Sequence, residues 1–138
     1  MSTALLLIAV LDDDAFVCKA LQRLLRSAGL SVETYSSGET FLKSLASHAP
    51  DCLVLDLHMP ELNGFDVQVE LQRMGASIPV IVITGHDTPE ARARALRNSA
   101  KAYINKPVDD ELLLRTISTA TGRPLAPGES GKTGPPGA

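Results

Sequence analysis

Five residues whose side chains suit one reaction stand at the ends of apolar runs. Asp12 and Asp13 follow Leu5-Leu6-Leu7-Ile8-Ala9-Val10-Leu11, and Asp56 follows Leu53-Val54-Leu55. Thr84 follows Val80-Ile81-Val82-Ile83, and Lys106 comes just after Ala102-Tyr103-Ile104. Short continuous apolar runs mark strands buried on both faces, as in a parallel sheet. In such a sheet the C-terminal strand ends share one edge, and ligands bind there. Three carboxylates gathered at that edge repel one another and raise each other's pKa. A hard divalent cation relieves the conflict, and Mg²⁺ takes a few carboxylate oxygens while keeping waters. Lys106 adds a fixed positive charge and Thr84 a hydroxyl donor. Together these groups make a site for a phosphoryl group held by Mg²⁺. Singly, each has a plainer use: Asp56 as a turn or N-cap, Asp14 as a cap for the first helix, Lys106 as a surface lysine. The coincidence at four strand ends outweighs those uses.

The elements that must position these groups follow from periodicity. After Asp14, Phe16, Val17, Ala20, Leu21, Leu24, Leu25 and Ala28 recur at helical spacing, and Gly29 closes the helix. Residues 32–35 form a short strand of alternating character. Ser36 and Glu39 fit a capping box for a helix carrying Phe41, Leu42, Leu45 and Ala46. Loop 60–64 leads to a weaker helix over 65–74 with Val67, Val69, Leu71 and Met74, stopped by Gly75. Pro79 opens the fourth strand, where proline is tolerated. Thr88-Pro89, an N-cap and an N1 proline, opens a helix through Ala91, Ala95 and Leu96. Asp109 caps a last helix holding Leu112, Leu113 and Ile117, stopped by Gly122. Five strands thus alternate with five helices. That is an α/β, doubly wound parallel sheet with right-handed crossovers. The three most apolar strands belong in the centre, and those at Val32 and Ala102 at the edges.

Length and composition narrow the function classes. The chain has 138 residues, enough for one domain with a single core. A net charge of -3 and a pI near 5.5 argue against nucleic-acid binding, which favours a basic surface. The opening apolar run is too short to span a membrane and lacks signal-peptide anatomy. Cys18 and Cys52 read as buried thiols, consistent with a cytoplasmic protein. Residues 1–121 carry the folded domain. Residues 122–138 are rich in Gly and Pro and read as a disordered tail or linker. Within that tail, residues 126–133 match a permissive Walker A pattern. No strand precedes the match and Pro135-Pro136 forbids a following helix, so it is a chance match.

With these motifs in place, the sequence resembles the receiver domains of two-component response regulators, and among them the FixJ-like group. Val10-Leu11-Asp12-Asp13-Asp14, Leu53 through Pro60, Ile83-Thr84-Gly85-His86 and Lys106-Pro107 carry the resemblance. It implies a flavodoxin-like sheet of strand order 2-1-3-4-5. It implies that Asp56 accepts phosphate from a sensor histidine kinase. It implies that Asp13, Asp56 and the His58 backbone carbonyl ligate Mg²⁺, with Asp12 acting largely through water. It further implies that Thr84 and Lys106 contact the phosphoryl oxygens and that Tyr103 moves with Thr84. The sequence departs from the family at Ser99, usually glycine, and at Val108, commonly aromatic. His48 reads as a surface residue, His58 as mattering through its backbone, and His86 as a solvated loop residue.

The output is expected to run through protein contacts. The fourth helix, last strand and last helix would form the switched surface, taken by a second copy or a regulator protein. Arg94, Arg97 and Lys101 fall at i, i+3 and i+7 as a basic stripe on that surface. Asp109, Asp110 and Glu111 open the next helix with acid. With no second domain after Gly122, the expectation is a single-domain receiver without DNA-binding output, and not an enzyme. Two rivals stand beside it. Asp12-x-Asp14 also resembles the start of a haloacid-dehalogenase-type phosphatase, with Asp12 as nucleophile and Asp14 as general acid. That scheme leaves Asp56 without a role. A pseudo-receiver working without phosphorylation is the other, and the complete acid site argues against it.

Overall fold

A computed structural model describes residues 5–124. The tail from residue 125, with its Walker-like match, lies outside the described residues. The strands are β1 (Leu7–Leu11), β2 (Ser31–Tyr35), β3 (Cys52–Asp56), β4 (Val80–Thr84) and β5 (Ala102–Asn105). The helices are α1 (Ala15–Ser27), α2 (Gly38–Ser44), α3 (Gly64–Arg73), α4 (Pro89–Arg97) and α5 (Asp110–Thr121). All strand pairs are parallel, in the order β2-β1-β3-β4-β5. The two more polar strands are the edges, as composition predicts.

Alternation along each strand builds two cores. Ile8, Val10, Val54, Ile81 and Ile83 face Leu21 and Leu25 of α1 and Leu113 and Ile117 of α5. Ala9, Leu11, Leu53, Leu55 and Val82 face Phe41 of α2, Val67 and Leu71 of α3, and Ala95 of α4. Each strand interior is therefore apolar on both sides, which is why β1, β3 and β4 read as unbroken apolar runs. The strand order reverses between β1 and β3, so a crevice opens at their C-terminal ends.

Three helix starts follow the expected caps: Asp14 accepts from Phe16 N–H, Thr88 from Ala91 N–H and Asp109 from Leu112 N–H. The second helix does not. Its cap is Ser37, accepting from Thr40 N–H, so the expected Ser36 and Glu39 box is displaced by one residue. A capping box does occur at α3, between Asn63 and Asp66.

Helical geometry also corrects two apolar assignments. Phe16 is 86% exposed, because it lies about 100° around α1 from the Val17-Leu21-Leu25 arc. On α3, Val69 and Met74 are exposed, while the polar Gln68 is buried. Positions 64, 67, 68 and 71 share the inner face, and 69 cannot join them.

Gln68 donates its side-chain N–H groups to Ala95 O at 3.0 Å and to Asn98 O at 3.3 Å, while its Oε1 is buried without a partner among the described residues. These are terminal carbonyls of α4, which lack partners within the helix. Nearby, Gln72 donates to Ser99 Oγ at 3.0 Å. Ser99 takes a left-handed φ of 76°, so serine occupies the turn that glycine would fill without strain. The Gln72 bond holds it there. Replacing Gln68 by alanine is expected to cost roughly 1–2 kcal/mol, by removing two hydrogen bonds to the end of α4 and leaving a small void, although Ala95 O keeps the Ala100 N–H. Urea unfolding checks this, and a midpoint equal to wild type would show the clasp to be idle.

Candidate functional site

Strand register brings the acidic residues together. Leu11 of β1 pairs with Leu55 of β3, so the next residues, Asp12 and Asp56, emerge side by side. Asp56 pairs with Ile83 of β4, which places Thr84 one residue further along the same edge. Thr84 pairs with Asn105 of β5, and Lys106 follows it. The Lys106 N–H donates to Thr84 O at 2.8 Å, fixing the loop that carries the lysine.

The loop after Asp56 leaves no room for a larger residue at Gly64. A Cβ there would lie 2.5 Å from Asp56 O and 2.7 Å from Leu57 Cα. The Gly64 N–H donates to Leu57 O at 3.0 Å, so the first turn of α3 closes directly onto the end of β3. That packing fixes the backbone that carries Asp56.

The carboxylates of Asp12, Asp13 and Asp56 each offer an oxygen within 4.8 Å of the others. Asp12 and Asp56 are buried at 0% and 3% exposure, and Asp13 is exposed. Lys106 Nζ lies 2.9 Å from Asp12 Oδ2 and 3.2 Å from Asp56 Oδ1. Asp12 Oδ1 accepts the Asp14 N–H at 2.9 Å. Asp12 Oδ2 is buried, and the Lys106 ammonium is the partner it meets among the described residues.

Burial raises the Asp56 pKa, the Asp12 charge raises it further, and Lys106 pulls the other way. For Lys106, burial disfavours the ammonium, but the Asp12 and Asp56 carboxylates outweigh it and hold the pKa above its ordinary value. The pocket is thus short of positive charge: one ammonium faces two buried carboxylates and a third at the mouth. An all-oxygen donor set, with three carboxylates gathered around one ammonium, fits a hard divalent ion.

Thr84 is fully buried. Its Oγ1 accepts the His86 N–H at 3.0 Å and lies 3.4 Å from His58 Nδ1. The two imidazoles lie against each other, with centroids 4.5 Å apart. His58 therefore reaches the site through its ring as well as its backbone, and His86 is not merely solvated. These contacts join residues far apart in sequence, and no local spacing signals them. His48 is also engaged, with Nε2 2.7 Å from Glu33 Oε1.

Tyr103 is 9% exposed and already lies in the core beneath α4, with the Arg92 guanidinium 5.1 Å from its ring centroid. Its hydroxyl is buried, with Asp87 beside it. Burial, and then the neighbouring Asp87, push the phenol pKa up.

The basic stripe does not survive as a helix face. α4 ends at Arg97 and Ser99 turns left-handed, so Lys101 lies beyond the helix. Arg94 is drawn aside, 4.2 Å from the Phe65 ring centroid. Val108 packs against the core on the α1 and α5 side rather than standing on the surface. Asp14 is committed to capping α1, where the phosphatase scheme asks for a general acid. Among the described residues, no helix is long and apolar enough to cross a membrane.

Known proteins resemble this chain in sequence and in fold. TodT, a response regulator protein of Pseudomonas putida, is 42% identical over 120 residues, covering 87% of this chain and 53% of TodT. The transcriptional regulatory protein FixJ of Azorhizobium caulinodans is 34% identical over 114 residues, covering 83% and 54%. This chain therefore spans about half the length of these curated relatives. Among solved structures, a response regulator receiver protein from Burkholderia phymatum superposes with a TM-score of 0.78 at 45% identity, covering 88% of this chain and 98% of that one. FixJ-N superposes at 0.81 with 30% identity, covering 90% and 99%. The model of the response regulator receiver domain family matches residues 8–118, and with the acid pocket at the β1–β3 crevice this shows that the chain belongs to that family.

Proposed function

We propose that Asp56 is the phosphoacceptor of this receiver domain, taking a phosphoryl group from the phosphohistidine of a sensor histidine kinase. The observation that carries this is the pairing of a buried strand-end carboxylate with Lys106 inside a three-carboxylate pocket. In the transfer, an Asp56 oxygen attacks phosphorus, a P–O bond forms and the P–N bond breaks. The electron pair leaves with the imidazole of the donor. Such a transfer needs positioning and charge stabilisation more than covalent help. Gly64 and the α3 turn position Asp56, and Lys106 supplies charge. Asp13, Asp56 and the His58 carbonyl would hold Mg²⁺, with Asp12 acting largely through water. Bound there, the ion neutralises the carboxylates and the phosphoryl oxygens.

A phosphoryl group brings roughly two negative charges and three strong acceptors. Thr84 and Lys106 are the nearest donors on the sheet edge. Movement of Thr84 would be felt by Tyr103 and, through Arg92, by α4. This supports a switched surface made of α4, β5 and α5, meeting a second copy or a regulator protein. We assign the output of this domain to protein contacts rather than DNA contacts. The acidic pI supports that.

Intact mass after incubation with acetyl phosphate and Mg²⁺ tests the proposal. One added phosphoryl group is expected, and no gain in mass under conditions that label a known receiver would refute it. For the metal, Asp13→Asn is expected to weaken Mg²⁺ binding about tenfold or more, by removing one anionic ligand. A titration curve unchanged from wild type would remove Asp13 from the ligand set. For the output, Arg97→Glu is expected to weaken self-association or regulator binding of the phosphorylated form. Equal sedimentation and equal binding would place the surface elsewhere.

A further inference from the structure

The Thr84 hydroxyl has one hydrogen to give, and an acceptor other than the phosphoacceptor lies within its reach. Its oxygen already accepts the His86 N–H at 3.0 Å. The acceptor within reach of its hydrogen is His58 Nδ1, at 3.4 Å. A neutral imidazole with its proton on Nε2 presents Nδ1 as an acceptor, so the two groups match. Nothing in the core fixes the His58 ring, which is exposed. The His86 ring flanks it instead, at 4.5 Å between centroids and 54° between planes. The contact is long for a hydrogen bond and therefore easy to displace. A hydroxyl buried at 0% exposure would otherwise be left without an acceptor for its hydrogen.

We propose that the His58 side chain is a positioning residue that latches the Thr84 hydroxyl in its resting place, with His86 holding the latch ring. The inference rests on the reading of Asp56 as phosphoacceptor and deepens it. A phosphoryl group on Asp56 must compete with His58 for the single hydrogen of Thr84. The latch therefore taxes the phosphorylated conformation and sets how readily the switch is thrown. A ligand that needs Thr84 binds more weakly by the fraction of molecules still latched.

Beryllofluoride, a non-transferable stand-in for the acyl phosphate, tests the latch on the full chain at saturating Mg²⁺. The chain has two tyrosines and no tryptophan, so tyrosine fluorescence reports binding without a competing signal. Loss of one weak hydrogen bond in the resting state is expected to tighten beryllofluoride binding about three- to tenfold in His58→Ala. His58→Asn, whose side-chain amide can reach the Nδ1 position, is expected to return the affinity toward wild type. His86→Ala keeps the backbone N–H bond and is expected to tighten binding by a smaller factor. In a Thr84→Ala background, His58→Ala is expected to change nothing further. A His58→Ala chain that binds beryllofluoride as wild type does, or more weakly, overturns the latch. So does an equal effect of His58→Ala with and without Thr84, which would make the ring a general packing element. If the wild-type chain itself shows no Mg²⁺-dependent binding, the phosphoacceptor assignment fails instead, and the latch with it.

Discussion

An Asp56→Ala chain is expected to take up no phosphoryl group from acetyl phosphate and Mg²⁺ at times when the wild type is fully labelled. The expectation is absolute because the nucleophile itself is removed; neighbouring groups can only position and stabilise. The fold should tolerate the change. Asp56 is buried, but Lys106 keeps its 2.9 Å pair with Asp12, so no ammonium is left without a partner. The comparison that gives the result its meaning is Asp12→Ala. That variant is expected to label on Asp56, more slowly, since it loses charge that balances Lys106 and helps hold Mg²⁺. Intact mass and peptide mapping read both. Labelling of Asp56→Ala together with none in Asp12→Ala would move the nucleophile to Asp12 and revive the phosphatase scheme.

The strands that build this site were legible because burial on both faces leaves only apolar residues in them. The two edge places then follow, since the more polar β2 and the short β5 cannot fill central ones, while the order of the central strands came from the family resemblance. Asp12, Asp56 and Thr84 were legible because each is the first polar group after an apolar run, and Lys106 because it follows such a run with only Asn105 between; parallel register sets them on one edge. Helix faces were less legible. Phe16 and Val69 are apolar by type, yet a period of 3.6 residues carries them off the inner arc, and Gln68 takes an inner place instead. The α2 cap was ambiguous because two serines stand side by side. Only the chain's exit from β2 decides that Ser37, not Ser36, faces Thr40. The Lys101 stripe failed at a backbone event, the left-handed Ser99, which ends the helix before the spacing is complete. Contacts such as His58 with Thr84 and Gln68 with Ala95 join segments remote in sequence. Those depend on tertiary placement and leave no periodic trace.

Two buried carboxylates and one lysine leave the metal-free pocket under electrostatic stress, and this has a pH signature. The Asp56 pKa is raised in the folded chain, first by burial and then by Asp12. The folded state therefore holds the Asp56 proton more tightly than the unfolded state does. Stability from this group is fully present below its ordinary pKa of 3.8 and is lost as pH rises through the higher folded value. Lys106 adds a separate window. Its raised pKa contributes stability at every pH below its ordinary 10.5, lost only above the folded value. Between the two windows the ionised pocket is where Mg²⁺ should act. At a Mg²⁺ concentration one hundred times its Kd, the ion is expected to stabilise the chain by about 2.7 kcal/mol near pH 7. That gain should shrink toward acid pH, where protonated Asp56 no longer serves as a ligand. Asp56→Asn is expected to mimic part of the effect, raising metal-free stability at pH 7, because it removes a buried charge that desolvation and the Asp12 carboxylate disfavour while Lys106 keeps Asp12. Urea unfolding across pH, with and without Mg²⁺, measures all three quantities. A Mg²⁺ gain that stays constant as pH falls, or an Asp56→Asn chain less stable than wild type without metal at pH 7, would show that Asp56 is not the strained charge in this pocket.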